Sequence, residues 1–175
     1  MSDTETNTDA PLPGPDPQMA KAIVDHVAEH GCAVVNVPDP GIPDRSFSFS
    51  VGFEANVGQP EVLVYGLDKD LAQSIINEVF RQCRDENLEL GDGQKINNLI
   101  DGYECMARMI DDPRARMTHF GLAAWYLREE QGKVLKRACQ IAWPDPETRV
   151  YPWEKGCGED IVEWQIGLYP RGGPK

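Results

Sequence analysis

The stretch FSFSVGFEANVGQPEVLVYGL, residues 47–67, decides the fold of this chain. From residue 47 to residue 53, large apolar and small residues alternate. This is the pattern of a half-buried β-strand, because successive side chains point to opposite faces. The apolar face carries Phe47, Phe49, Val51 and Phe53, and the small face carries Ser46, Ser48, Ser50 and Gly52. We expect the apolar face to begin a core. On the small face, either another element packs very close or the surface borders a cavity.

The second half of the stretch predicts a second strand. The turn-forming residues Asn56, Gly58 and Pro60 end the first strand, and an apolar run follows at residues 62–65. A continuous apolar run is typical of a central strand that is covered on both faces. The stretch therefore predicts two strands joined by a short turn, with a helix covering the second strand.

A long amphipathic helix follows these strands. Asp68 is a good N-cap residue, and from Leu71 to Cys83 apolar residues recur at spacings of three and four, which gives the helix one apolar stripe. We expect it to end near residues 85–87 and to lie on the sheet that the two strands begin. Similar patterns predict helices at residues 19–30 and 118–130, and strands at residues 32–37, 95–100, 103–110 and within 133–143. The tripeptide Asp-Asp-Pro at residues 111–113 is interpreted as the end of a strand.

Together these elements predict one α+β domain, with a twisted, mainly antiparallel sheet of five or six strands and two or three packed helices. The domain is expected to span residues 19–169, including an irregular, aromatic C-terminal segment. Residues 1–18 are acidic, rich in proline and poor in large apolar side chains, so they are predicted to be a disordered tail. Residues 170–175 are predicted to be a flexible C-terminus.

The composition argues against several classes of partner and site. The formal net charge of −12 disfavours nucleic acid and anionic membranes, because an acidic surface repels phosphate groups. No apolar run approaches the roughly 20 residues of a membrane span, and no secretory signal is visible. The five cysteines are scattered and include no CxxC pair. This argues against a disulfide framework or a zinc site and favours a reducing cytoplasm. The acidic residues show no spacing typical of a metal site.

Several segments together resemble one protein family. They are HGCAVVNVP, FSFSVGF, QPEVLVYGL, the Asp101-Gly102-Tyr103 turn, AWYL, and IAWPDPETRVYPWEKGC followed by a later glutamine. In their order and spacing these segments resemble the bacterial domain-of-unknown-function family numbered 4262, over about residues 20–165. The family pattern continues after that glutamine with proline and leucines, whereas Gln165 is followed here by Ile-Gly, so we expect the C-terminal docking to differ. The resemblance implies a small bacterial cytoplasmic α+β domain and brings no activity or site residues.

A pocket beside the small strand face is the first hypothesis for a site. The candidate ligand-binding residues are Ser48, Ser50, Gly52, His119, Trp125 and Tyr126. His119 could act as a general base held by a neighbouring aspartate, or it could only bond water or a carbonyl at a helix start. The serines could line a pocket, although small residues on a strand face more often reflect tight packing.

The tryptophans of the last third of the chain give a second hypothesis. Trp143, Trp153 and Trp164 offer flat apolar surfaces with a polar tip, so they are candidates for binding a partner. The same residues could instead cover apolar surface of their own domain. Cys157 could be an exposed thiol, and Lys155 is the one nearby cation that could make it reactive. A cysteine without a role is the alternative.

Two classes of function stay open, because no nucleotide-binding, metalloprotease or hydrolase motif is present in the sequence. The acidity and small size favour a non-catalytic binding or regulatory module, which would hold a protein partner as immunity-type proteins do. The alternative is a small-molecule-binding protein or an enzyme with a pocket at the small strand face, where a flavin or a similar planar ligand would fit the aromatic residues. Exposed strand edges would also allow a homodimer.

Overall fold

The computed structural model describes residues 14–39, 41–42 and 45–174 of the chain. Most of the predicted N-terminal tail, residues 1–13, lies outside the described residues. The helices are α1 (Pro17–His30), α2 (Phe53–Val57), α3 (Lys69–Asp85), α4 (Pro113–His119), α5 (Gly121–Gln131) and α6 (Glu159–Trp164). The strands are β1 (Ala33–Val37), β2 (Phe47–Val51), β3 (Glu61–Tyr65), β4 (Lys95–Ile100), β5 (Tyr103–Met109) and β6 (Ala138–Ala142).

The six strands form one sheet in the order β1-β2-β3-β6-β5-β4. Neighbouring strands run antiparallel, except that β3 and β6 are parallel. The predicted fold class, α+β with a mainly antiparallel sheet of five or six strands, is therefore confirmed, and the number of strands is six. Three of the six described helices are short, and α1, α3 and α5 are the long ones. None of the described helices is both long and apolar enough to cross a membrane.

The first predicted strand is shorter than its alternating pattern indicates. β2 ends at Val51, and Gly52 takes a φ of 108°, a conformation that favours glycine. A Cβ atom at Gly52 would lie 2.9 Å from the carbonyl oxygen of Gly31. Phe53 then begins α2 and is buried beneath α3, not beside Phe49. The prediction that Phe53 shares the apolar face of β2 is wrong, and the predicted short turn between the strands contains a helix.

The sheet has a core on each face. The α3 side buries Val62 and Val64 of β3 together with the apolar stripe of α3. The other side buries Phe49 and Val51 of β2 with residues of α1 and α5. The predicted helix after Asp68 thus lies on the sheet, as expected, but on the face opposite the phenylalanine rings of β2.

Capping explains where two helices begin. The side chain of Asp68 accepts hydrogen bonds from the backbone N–H groups of residues 70 and 71 at 3.1 and 3.0 Å, so the predicted N-cap of α3 is confirmed. Asp112 accepts a bond from the N–H of Arg114 and caps α4, with Pro113 in its first turn. The Asp-Asp-Pro tripeptide therefore also starts a helix, and the single helix predicted for residues 118–130 is instead α4 and α5, which are separated at the buried Phe120.

Candidate functional site

The small face of β2 is packed inside the domain. Ser48 pairs with Val64 across the β2–β3 ladder, and Val64 belongs to the core beneath α3. Ser48 and Ser50 are 1% and 0% exposed. The hydroxyl of Ser48 donates to Asn36 Oδ1 at 3.1 Å, and that of Ser50 donates to Glu61. Both serine hydroxyls are therefore bonded within the domain, and α3 covers the face that bears them.

Glu61 is a buried carboxyl group that the sequence analysis did not single out. It is 2% exposed, and its Oε1 accepts hydrogen bonds from the N–H groups of Gly52 at 3.1 Å and Glu54 at 3.3 Å. Burial raises the pKa of Glu61 to about 7, against the opposing effect of the hydrogen bond from Ser50 and the backbone donors. The clue in the sequence was a charged residue at the start of an apolar strand, where it replaces an expected aliphatic side chain.

His119 lies on the other face of the sheet and forms a defined pair with Tyr65. Its Nδ1 lies 2.9 Å from the carbonyl oxygen of Ala115, which can only accept, so Nδ1 carries the proton. Its Nε2 then accepts the hydrogen bond from the Tyr65 hydroxyl at 3.0 Å. The ring of Phe47 lies 5.2 Å away between centroids. The histidine is thus held by a helix carbonyl and not by the aspartates that the general-base hypothesis named.

The six candidate ligand-binding residues are not brought together. Ser48 and Ser50 lie on the side of the sheet that α3 covers, and Gly52 follows the end of β2. Tyr126 lies in the core on the α5 side. Trp125, also on α5, is half-buried, and its indole packs against Gly14. The sheet separates the serines from His119 and the α5 aromatics. A single pocket lined by both groups does not form in this arrangement.

The three candidate partner-binding tryptophans pack on their own domain. Trp143 is 5% exposed, and its indole N–H donates to the carbonyl oxygen of Tyr65 at 2.8 Å. Trp153 is half-buried and stacks on Tyr151 at 5.0 Å between centroids. Trp164 is half-buried against the core beneath α3. Their positions agree with the second interpretation given above, in which the C-terminal segment covers apolar surface.

Cys157 is half-buried in the loop before α6. Burial first, and then the carboxylate of Asp145, raises the pKa of its thiol. The group therefore stays protonated at neutral pH, and a protonated thiol is a weak nucleophile. Within the described part of the chain, no three histidine, cysteine or acidic side chains come together in a way that could hold a metal ion.

A groove on the outer side of α3 is an extended concave surface. Three depressions of about 540, 610 and 360 Å³ adjoin one another. The first and second share Asn98, and the second and third share Gln73, Asn77 and Arg81. We call this surface the α3 groove; His26 and His30 line one end of it, and Tyr103 lines the other. The sequence analysis missed it because its polar residues belong to three elements that are distant in the chain.

A second missed feature is a pair of buried polar side chains in the middle of the sheet. Arg108 of β5 is 1% exposed and Gln140 of β6 is 0% exposed. They face each other across the β5–β6 ladder and contact the last described residues of the chain. The available clue for Arg108 was a charged residue between the apolar residues Ala107 and Met109 near the end of a strand.

Comparison with known proteins gives one positive finding. The model of a family described as "Domain of unknown function (DUF4262)" matches residues 26–158, which include the whole sheet and end before α6. No curated protein matches the chain, and no solved structure does. The family description assigns no activity, so the function has to be argued from the geometry.

Proposed function

We propose a non-catalytic binding role for this chain, which belongs to the family described as Domain of unknown function (DUF4262). In this proposal the domain binds a protein partner in the α3 groove. Binding then regulates either the partner or this protein. The observation that carries the proposal is the continuity of the groove: Asn98 of β4 joins the first depression to the second, and three side chains of α3 join the second to the third.

The length of the groove suits a polypeptide better than a small molecule. Its lining includes Asp70 at one end of α3 and Arg84 near the other. At the rise of an α-helix, these residues lie about 21 Å apart along the helix axis. An extended peptide of about six residues covers that distance. The groove is also open to solvent, whereas small-molecule sites usually enclose most of the ligand surface.

The chemistry of the groove suits a peptide backbone. Gln73, Asn77 and Asn98 are exposed and carry primary amides, each of which offers both donors and an acceptor. Neither Gln73 nor Asn98 forms a side-chain hydrogen bond to another described residue. Such groups can pair with both the N–H and the C=O of a bound chain. The charged lining residues of α3 are acidic toward its start, at Asp70 and Glu78, and basic toward its end, at Arg81 and Arg84. This separation of charge would fix the direction in which a partner segment binds.

A charge-matched pair of variants tests the proposal. Ser74→Arg/Asn77→Arg places two long cations in the groove, and Gln18→Arg/Gln131→Arg adds the same charge at exposed positions of α1 and α5. The tagged wild type is used to isolate partners from cells of the source organism, and each partner is then purified and its affinity for the three proteins measured. We expect the groove variant to lose at least about tenfold in affinity and the control to match the wild type. Equal binding by all three proteins would exclude the groove as the binding surface.

The free cysteines and the charge support a cellular setting for this role. All five cysteines are unpaired in the structure, which fits a reducing compartment, and we propose the cytoplasm. The net charge of −12 supports a protein partner rather than nucleic acid or an anionic membrane. If two copies pair through a sheet edge, we propose β1. The other edge strand, β4, is distorted at Asn98 (φ 66°), and such distortions disfavour edge pairing.

One observation favours the second candidate, a small-molecule-binding protein or an enzyme. The His119–Tyr65 pair holds an imidazole and a phenol at 3.0 Å, a geometry that could transfer a proton to a ligand. Native mass spectrometry of the purified protein is the discriminating measurement. A co-purifying small molecule that is lost in His119→Ala but kept in Gln131→Ala, a change at an exposed position of α5, would favour this candidate. An empty wild-type protein would favour the binding module.

A further inference from the structure

Two buried polar side chains lie on the face of the sheet opposite α3. Arg108 and Gln140 pair across β5 and β6, whereas their neighbours Ala107 and Ile141 point into the core beneath α3. A buried guanidinium or amide is costly unless it is hydrogen-bonded. Here the bonds go to residues 166–174, which we call the C-terminal strap.

The side-chain amide of Gln140 forms two hydrogen bonds to the main chain of the strap. Its Nε2 donates to the carbonyl oxygen of Ile166 at 3.0 Å, and its Oε1 accepts from the N–H of Leu168 at 3.0 Å. Both contacts are to backbone atoms that every residue other than proline supplies. The side-chain amide therefore holds an extended chain whatever its sequence at those two positions.

Arg108 also forms hydrogen bonds to the main chain of the strap. It donates to the carbonyl oxygens of Gly172 at 2.9 Å and Pro170 at 3.4 Å. Asp92 fixes the guanidinium from the other side at 3.0 Å. The guanidinium also lies 4.4 Å from the ring centroids of both Trp153 and Tyr169, so two aromatic rings flank it. The strap thus contacts Arg108 through the side chain of Tyr169 as well as through its main-chain carbonyl groups.

The strap itself contributes few buried side chains. Ile166 is 39% exposed, Arg171 is also exposed, and within the strap only Leu168, Tyr169 and Pro174 are half-buried. The family match ends at residue 158, so the strap lies outside the matched region, whereas Arg108, Gln140 and Trp153 lie within it. The surface and the segment that covers it thus belong to different parts of the chain.

We propose that Arg108, Gln140 and Trp153 form a binding site for an extended peptide with an aromatic residue, and that the strap occupies this site as an intramolecular ligand. A partner protein would insert such a peptide in place of the strap. In this site Gln140 and Arg108 form hydrogen bonds to the peptide backbone. One aromatic ring of the peptide packs against the guanidinium of Arg108, in the position that Tyr169 occupies in the structure. It is distinct from the α3 groove, because the sheet lies between the two surfaces, so it stands whether or not the groove binds a partner.

The tethering of the strap sets the design of the test. A segment joined by a short linker competes at an effective concentration on the order of millimolar, so an added peptide binds the wild type only weakly. Weakening the strap raises the open fraction, and the apparent affinity for an added peptide rises in proportion. Tyr169→Ala removes the aromatic contact of the strap and leaves the site residues in place.

The test uses the full-length protein and a fluorescein-labelled peptide of residues 166–174, IGLYPRGGP. Fluorescence anisotropy is measured with the wild type, with Tyr169→Ala and with the matched control Arg171→Ala, which removes an exposed strap side chain. We expect Tyr169→Ala to bind the peptide about tenfold more tightly than the wild type. Arg171→Ala should resemble the wild type, and a peptide with alanine in place of its tyrosine should bind none of the three proteins measurably.

Two results would overturn the proposal and leave the strap as a fixed structural anchor. One is that the labelled peptide binds Tyr169→Ala no more tightly than it binds the wild type. The other is that the tyrosine-free peptide binds as well as the native sequence. Circular dichroism checks that each variant is folded; if Tyr169→Ala is not, Leu168→Ala serves as the weakened strap, because Leu168 is also half-buried.

Discussion

The two buried polar clusters of this domain differ in how far along the chain their partners lie. Glu61 bonds Ser50, Gly52 and Glu54, which are 7 to 11 residues away. Arg108 bonds the carbonyl groups of Pro170 and Gly172, which are 62 and 64 residues away. The first cluster is built entirely from β2, α2 and β3. The second is complete only when the end of the chain lies across the sheet.

The two clusters therefore differ in whether they can be exposed to solvent while the domain stays folded. Opening the Glu61 cluster requires separating two paired strands beneath α3. Opening the Arg108 cluster requires only that the strap leaves, which breaks no strand pairing. The energy of local opening is lower where fewer buried contacts are lost. We therefore expect the Arg108 side to respond to partners and the Glu61 side to respond to pH.

Removing the side chain of Arg108 should have the largest effect on stability. Arg108→Ala deletes the donor for two strap carbonyls and the ion-pair partner of Asp92. Each hydrogen bond from a charged donor contributes about 1.5–3 kcal/mol. Because two strap carbonyls lose such a donor, we expect a loss of about 3–5 kcal/mol in the free energy of unfolding, measured in urea. The control Arg171→Ala, at an exposed position, should change it by less than about 0.5 kcal/mol. A loss below about 1 kcal/mol for Arg108→Ala would mean that the strap contacts contribute little.

Glu61 should make stability depend on pH. Because the pKa of Glu61 is raised from 4.5 to about 7 in the folded protein, the folded state holds a proton that the unfolded state releases between these values. The contribution of Glu61 to stability is thus complete below pH 4.5 and is lost as the pH rises through 7. The full difference is about 3 kcal/mol at 1.36 kcal/mol per pKa unit.

Glu61→Gln isolates this effect, because glutamine cannot ionise. We expect the variant to match the wild type near pH 5 and to become the more stable protein by roughly 2–3 kcal/mol near pH 8. Urea unfolding of both proteins across this range is the measurement. Parallel stability curves would show that Glu61 ionises in the folded protein with an ordinary pKa.

The smallest expected effect on stability comes from the N-cap residue of α3. This helix covers the Glu61 side of the sheet. Asp68→Ala removes the acceptor for the N–H groups of residues 70 and 71 and should cost about 1 kcal/mol. Hydrogen exchange should show faster opening in the first turn of α3, while the strap amides are unchanged. Gln73→Ala is the control, since its exposed side chain makes no cap and carries no charge. A uniform increase in exchange over both faces would contradict the separation of the two clusters.

Much of the fold could be predicted from the sequence, because it rests on local patterns. The alternation in β2, the apolar run of β3 and the periodicity of α3 each identify an element from fewer than 20 consecutive residues. The error at Phe53 came from reading the alternation past Gly52, whose positive φ turns the chain. The division of residues 113–131 into α4 and α5 was missed because a proline after two aspartates suits both a strand end and a helix start.

The candidate sites could be predicted less well. Ser48, Ser50, His119 and Trp125 were grouped by their chemistry, and the pattern of one strand cannot show which helix covers which face. Glu61 and Arg108 were passed over because a charged residue within a strand gives no indication of its partner. The α3 groove joins α1, α3 and the β4–β5 hairpin, which no local pattern connects.

By itself, the sequence determined the class of fold, the central position of β3, the start of α3 and the family. Each of these depends on side-chain periodicity or on residues close together in the chain. Only the tertiary structure decided that α3 fills the small face of β2, that burial raises the pKa of Glu61, and that the strap lies over Arg108 and Gln140. The physical reason is that burial and hydrogen bonding are set by contacts between segments that are remote in sequence, and these contacts exist only once the sheet has assembled.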